Sequence, residues 1–517
     1  MLLPIRIAGL IALCLVTSSA RLHGPGRTGE RGDPISLEQL IVRSRDGNKW
    51  VRKRAIERLA ALDDPRAWPV VVAALGDRSG EVADAAQWGL AELGPGEVRA
   101  SLLGRQGLRS RDPWVRCRAA EVLGRMQGGS ACGDQEVEAL AGLLRDRDAE
   151  TRRMAAFALE RIAREGGEGV SERISEALGG RLGKEREPEI RARMLAAAGV
   201  RATGRGAKAV LDALDDREPS PRAAAAGALP SFLEPARSVP HLADLLGDEA
   251  VAVRLHAADA LRRTPTRDAA LALAARLAVE SEPRVLDAIV AVLRAYSGLR
   301  HRRDPRPWRD WAESLPEDWE VPPVPAVEPE PRKDASVAGF LGLPIESAHV
   351  SFLIDLSGSM WTRGADGRTR KDRVRDALEA ALGSLPKETR FNLIPYTERP
   401  HPLWKSLKRA SGGNVREALR FFDHAGDQGT GNVWDAVLVA LEDPEVDTLI
   451  LLTDGAPTGG RHNRMELLVP LLLERVEFRS IVLHSILVDS PRRLKASWDE
   501  LARATGGRSI AVELLTE

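Results

Sequence analysis

The chain has 517 residues, and its 75 Lys and Arg balance 75 Asp and Glu, so the formal net charge is zero. A 43% apolar content excludes a mostly disordered chain, and the length calls for two to four domains. Balanced charge and 4% aromatic residues argue against nucleic-acid binding, and three cysteines are too few for a disulfide scaffold.

Met1–Ala20 reads as a secretory signal peptide. Arg6 precedes the apolar run Ile7–Val16, which is too short to span a bilayer, and Ser18-Ser19-Ala20 supplies small residues for cleavage. The expected destination is therefore outside the cytoplasm: periplasm, cell envelope or extracellular space. No later segment is long and apolar enough to serve as a membrane anchor. Export leaves Cys117 and Cys132, for which two unbridged thiols are the expectation. Arg31-Gly32-Asp33 is a three-letter match of the kind chance supplies. Gly24, Gly26 and Gly29 fit G-x-G-x-x-G, but no strand precedes them.

From Arg45 to Leu299 one pattern recurs eight times: an acidic turn, an apolar residue, often an Arg, then an Ala-rich amphipathic helix. DPWVRCRAAEVLGRM and DEAVAVRLHAADALRR are two copies. The aligned positions Val51, Val82, Val115, Thr151, Ile190, Pro221, Val253 and Val285 are spaced by 31, 33, 36, 39, 31, 32 and 32 residues. A second short apolar helix falls in each interval. One helix pair cannot bury its apolar face alone, whereas a stack of pairs makes a continuous core. Arg52, Arg116, Arg152, Arg191, Arg222 and Arg254 each follow an acidic turn, which predicts an acid–Arg ladder between neighbouring repeats rather than a phosphate site. His241 and His256 have no Cys or His at ligand spacing and read as ordinary core or surface residues.

This pattern resembles the HEAT-like repeats, including the short bacterial form also seen in bilin lyases. The resemblance implies an all-α solenoid over residues 36–300, with a surface that docks another macromolecule. Residues 301–340 read as a cap and linker. Eight prolines fall between 305 and 331, so the segment VPPVPAVEPEP should extend as polyproline II, while Trp308, Trp311 and Trp319 should seal the last repeat.

Beyond the linker the period changes. Apolar strands alternate with helices: SAHVSFLID, RFNLIPYT, DTLILLTDG, SIVLHSILV and SIAVELL are the strands, which predicts a mostly parallel sheet covered on both faces. Ligands of such sheets lie beyond the strands' carboxyl ends, and there stand Asp355, Ser357 and Ser359 (D-x-S-x-S), Asp454 after another strand, and Thr430 in a loop before a helix. Two carboxylates and three hydroxyls form a hard oxygen set, suited to Mg²⁺ or Ca²⁺ and not to Zn²⁺. Asp366 reads as solvated and Asp372 as a helix first-turn residue.

DLSGSM (Asp355–Met360), GTGN (Gly429–Asn432) and TDG (Thr453–Gly455) resemble the von Willebrand factor type A domain over about residues 345–517. The resemblance implies an α/β Rossmann-like fold with a metal-ion-dependent adhesion site, where Mg²⁺ (or Ca²⁺ or Mn²⁺) on Asp355, Ser357, Ser359, Thr430 and Asp454 accepts an acidic residue of a protein partner. The family's Thr stands directly before the Asn or Asp of its motif, whereas Gly431 intervenes here: either the loop bulges, or Gly431 takes the donor's place. The expected function is an exported, non-catalytic interaction or adhesion protein with a second docking surface on the solenoid. The alternatives are a scaffold with a metal-free type A domain and a bilin-lyase-like or chelatase-like component. No Walker A loop, G-x-S-x-G, H-E-x-x-H or Cys–His pair at useful spacing supports the enzymatic one.

Overall fold

A computed structural model describes residues 35–62, 64–92, 97–126, 133–321, 339–426 and 429–515. The expected signal segment, the Arg31-Gly32-Asp33 and Gly24–Gly29 motifs, Cys132 and the body of the Pro-rich linker lie outside the described residues. The chain divides into two compact units, one helical and one α/β.

Seventeen α-helices are described in the helical unit. The first six are α1 (Leu37–Arg43), α2 (Lys49–Ala60), α3 (Trp68–Ala73), α4 (Gly80–Glu92), α5 (Glu97–Leu103) and α6 (Pro113–Arg125). Then come α7 (Asp134–Leu143), α8 (Ala149–Glu165), α9 (Glu168–Leu182), α10 (Pro188–Ala198), α11 (Gly204–Asp212) and α12 (Pro219–Ala228). The last five are α13 (Pro235–Leu245), α14 (Val251–Arg262), α15 (Arg267–Leu277), α16 (Pro283–Ser297) and α17 (Pro305–Glu313). The even-numbered helices from α2 to α16 are the eight Ala-rich copies. Their starts follow from their turns: Asp112 accepts from Trp114 N, Asp148 accepts from Thr151 N, and Pro occupies the first turn of α6, α10, α12 and α16, where its missing N–H costs nothing. From α6 to α16 each even helix packs on the next, with α7, α9 and α11 stacking beside them. Small residues permit the approach. A Cβ on Gly124 of α6 would lie 2.7 Å from the Ala158 Cα of α8. Cys117 is buried at this interface, its thiol 3.9 Å from the Glu150 carbonyl. His256 is buried and His241 exposed.

The acid–Arg ladder is present at all six expected arginines. Arg116 donates through Nε and Nη2 to Asp146 at 2.7 Å each, and through Nη1 to the carbonyls of Ser110 and Arg111 in its own turn. Arg52 meets Asp77, Arg152 meets Glu185, Arg191 meets Asp216, Arg222 meets Asp248 and Arg254 meets Glu280 in the same forked manner. Asp146, Glu185, Asp216, Asp248 and Glu280 also accept a backbone N–H of their own turn, as Asp146 does from Asp148. Each fork thus fixes one repeat's turn to the next, with the two-point geometry that a guanidinium offers a carboxylate.

At the C-terminal end of the stack α17 packs on α15. Trp308 is fully buried and donates to the Arg302 carbonyl at 2.7 Å. Trp308, Trp311 and Trp319 meet edge to face with centroids 6.2 and 5.9 Å apart, and Trp319 lies 5.8 Å from Tyr296 of α16.

In the α/β unit a two-residue hairpin, β1 (Gly339–Phe340) and β2 (Leu343–Pro344), precedes the main sheet. The strands that follow are β3 (His349–Asp355), β4 (Arg390–Tyr396), β5 (Lys408–Arg409), β6 (Thr448–Thr453), β7 (Val482–Val488) and β8 (Ser509–Val512). Their order is β5-β4-β3-β6-β7-β8, parallel except for the short antiparallel edge β5. The helices are α18 (Arg370–Ser384), α19 (Gly412–His424), α20 (Val433–Leu441), α21 (Met465–Val476) and α22 (Arg492–Ala504). Val350, Phe352 and Ile354 of β3 join Val374 and Leu378 of α18 and Phe422 of α19 in one core. Strand alternation sends Leu353 to the other face, where α20 packs on β3 and β4. The chain steps from β3 outward to β4 and returns to β6 on β3's other side. That reversal opens a crevice at the carboxyl ends of β3 and β6.

The Glu185 side chain is 2% exposed, so Arg152→Ala would leave a buried carboxylate without its cation. Breaking such a pair costs about 3 kcal/mol or more. Thermal denaturation of Arg152→Ala should show a clear loss, with less than about 1 kcal/mol lost in Arg173→Ala, whose Asp134 pair is exposed.

Candidate metal centre

The apolar run of β3 ends in a carboxylate. Neighbouring strands on both sides bury Asp355 to 3% exposure. Its Oδ1 accepts from Ser357 N at 2.8 Å and its Oδ2 from Thr453 Oγ1 at 2.9 Å. Among the described residues no Lys or Arg forms an ion pair with it. Burial, helped by the nearby Asp454 charge and opposed by the Ser357 and Thr453 hydrogen bonds, pushes the Asp355 carboxyl up to about 6. Burial and the Asp355 charge also raise the Tyr396 hydroxyl.

The loop after β3 turns through a short 3₁₀ helix, Gly358–Trp361, which brings Ser357 Oγ and Ser359 Oγ to 3.4 Å from each other. Gly358 N donates to the Gly429 carbonyl, fastening this loop to the one that precedes α20. Asn432 caps α20 by accepting from Asp435 N, and its own N–H donates to the Thr397 carbonyl. Between these anchors Gly431 lies against the carboxylate. A Cβ there would sit 3.0 Å from Asp355 Oδ2. Gly431 N donates to Thr458 Oγ1, and its carbonyl accepts from Thr458 N and Gly459 N. The Thr430 hydroxyl lies close to Gly459, whose added Cβ would fall 2.1 Å from Thr430 Oγ1. Asp454 follows β6, its side chain 7% exposed.

The crevice thus gathers Asp355, Ser357, Ser359 and Asp454 with the Gly431 backbone, and the Thr430 hydroxyl lies beside Gly459. A buried carboxylate with no Lys or Arg partner among the described residues, a second carboxylate close enough to raise it and two adjacent hydroxyls form a donor set that fits a hard dication. Among the described residues, no cluster of three or more His, Cys, Asp or Glu side chains that could hold a metal ion is found, so this centre rests on two carboxylates and hydroxyls. Two residues of this centre carry no sequence motif. Arg370 opens α18 and contacts Ser359, Asp454 and Asp489, and Asp489 directly follows β7. A third strand-end carboxylate was the available signal for Asp489. Asp372 completes the Thr369 capping box of α18, and Asp366 pairs with Arg373 at the surface.

The linkage has a definite sign. The folded chain without metal holds the Asp355 proton up to about pH 6, whereas an unfolded Asp releases it near 4. The fold therefore loses stability as pH rises from about 4 through 6, and the deficit persists at neutral pH. Asp355→Asn should accordingly raise the melting temperature in EDTA at pH 7, by the equivalent of roughly 1–3 kcal/mol, and flatten that pH dependence. A lower melting temperature for the Asn variant in EDTA at pH 7 would contradict this account.

The HEAT-repeat family matches residues 101–199 and 207–294, and the von Willebrand factor type A domain family matches residues 348–509. Inter-alpha-trypsin inhibitor heavy chain 4 of Mus musculus is 33% identical over 133 residues, covering 23% of this chain and 14% of that protein. Heavy chain H4 of Homo sapiens is 36% identical over 136 residues, covering 24% and 14%. The chain thus spans about a seventh of the length of these relatives. Among solved structures, proximal thread matrix protein 1 from the mussel byssus is 19% identical, over 32% of this chain and 41% of that one, with a TM-score of 0.25. The chain therefore carries HEAT repeats followed by a von Willebrand factor type A domain.

Proposed function

We propose that this is an exported protein-interaction protein whose type A domain binds an acidic side chain of a protein partner through a divalent cation, Mg²⁺ first among Mg²⁺, Ca²⁺ and Mn²⁺. The observation that carries this reading is the buried carboxylate of Asp355, which has no Lys or Arg ion-pair partner among the described residues and stands at the crevice between β3 and β6 beside Ser357, Ser359 and Asp454. A dication there would be held by Asp355 and the two serine hydroxyls, with Asp454 completing the charge. It would supply an open coordination position for a carboxylate. The residues of this chain orient that position: the Ser357 N–H and Thr453 hydroxyl fix Asp355, and the Gly358–Gly429 bond fixes the loops. The family match and the likeness to the heavy chains support an interaction role for the domain, and the HEAT repeats offer a second protein-docking surface. Export rests on the Met1–Ala20 segment. Among the described residues no helix is long and apolar enough to cross a membrane.

Gly431, inserted between Thr430 and Asn432, favours a second reading, in which the domain is a metal-free scaffold. The two readings part on one experiment. With the full chain as bait, partner capture from an envelope extract should be lost in EDTA, restored by Mg²⁺ and absent from a Ser357→Ala/Ser359→Ala variant. The same partner retained under all three conditions would overturn the metal-dependent reading in favour of the scaffold.

A further inference from the structure

Arg370 is the charged side chain at the centre to which the metal reading gives no part. Its Nη1 donates to the Ser359 carbonyl at 2.8 Å and lies 3.5 Å from Asp454 Oδ2, while Nε donates to Asp489 Oδ2 at 2.8 Å. These three partners follow β3, β6 and β7, so one guanidinium ties three strand ends together. It is held there, with its side chain only 15% exposed. Asp489 is held as well. Its backbone is left-handed, with φ at 44°, and its Oδ1 accepts from Leu514 N at 2.9 Å. A side-chain-bearing residue keeps that conformation where its surroundings fix it. Among the described residues Arg370 is the only cation that pairs with Asp454.

We propose that Arg370 is a built-in counter-cation of the metal centre. It neutralises Asp454 while no dication is bound and weakens dication binding through like-charge repulsion, and Asp489 sets how much of its charge reaches the centre. This rests on the metal-dependent reading above and adds a regulator to it. Repulsion between partly buried charges a few ångströms apart is weakly screened. The centre is thereby tuned to abundant rather than trace dication. Arg370 is a positioning residue in this account, acting on the ion through Asp454 and through space.

The test is calorimetric titration of Mg²⁺ into the full chain, with the melting temperature in EDTA as a second readout. Arg370→Gln, which keeps a hydrogen-bond donor and removes the charge, should bind Mg²⁺ about tenfold more tightly and melt lower in EDTA. Arg370→Lys should stay within about threefold of the parent, because the charge remains. Asp489→Asn should bind more weakly, because the guanidinium loses its neutralising partner. Should that variant fail to fold, the Gln and Lys pair decides. A role limited to holding the loops would make the Gln and Lys variants both bind more weakly, and that result overturns the proposal. If the parent binds Mg²⁺ and Arg370→Gln gains nothing, the proposal alone falls. If the parent binds none, the metal centre falls with it.

Discussion

A carboxylate at the end of an apolar strand, buried between two parallel neighbours, is the constraint on which the α/β unit turns. An ionised group in that position is costly unless a charge or hydrogen bonds compensate it. Asp355 has two hydrogen bonds and no Lys or Arg partner among the described residues. The surrounding loops are built around it. Thr453 donates from the end of β6, the Gly431 backbone comes close because it lacks a side chain, and the Gly358–Gly429 bond closes the rim. A local energetic deficit of this kind reads as a binding site when polar donors converge on it, because a cation removes the deficit.

The helical unit uses charge in the opposite way. Its six ladder arginines each fork onto an acid of the next repeat and hold a carbonyl of their own turn, as Arg116 and Arg222 do. Many Ala and Gly residues bring the stacked helices close, and the ladder fixes which turn meets which. Stability in such a stack is distributed over neighbouring repeats. Arginines at this spacing are accordingly structural, and docking on this unit has to use other side chains.

The ladder was legible in the sequence because it is periodic: acid, turn and Arg recur at nearly constant spacing, so geometry follows from register. The five longer strands of the α/β unit were legible for a similar reason, with ends shifted by a few residues; β3, for instance, begins at His349 rather than Ser347. The β1–β2 hairpin and the edge strand β5 escaped because two residues show no alternation. Arg370 and Asp489 escaped because they are 119 residues apart and meet only once β7 lies beside β6. The inserted Gly431 left two possibilities open. Its placement depends on Thr458, 27 residues away, whose hydroxyl holds the Gly431 N–H.

Anomalous diffraction from crystals of the full chain grown in Mn²⁺ addresses the central claim most directly. The account predicts one strong peak within coordination distance of Asp355, Ser357 and Ser359, lost in crystals of Asp355→Asn. A map with those side chains ordered and no peak between them would contradict it.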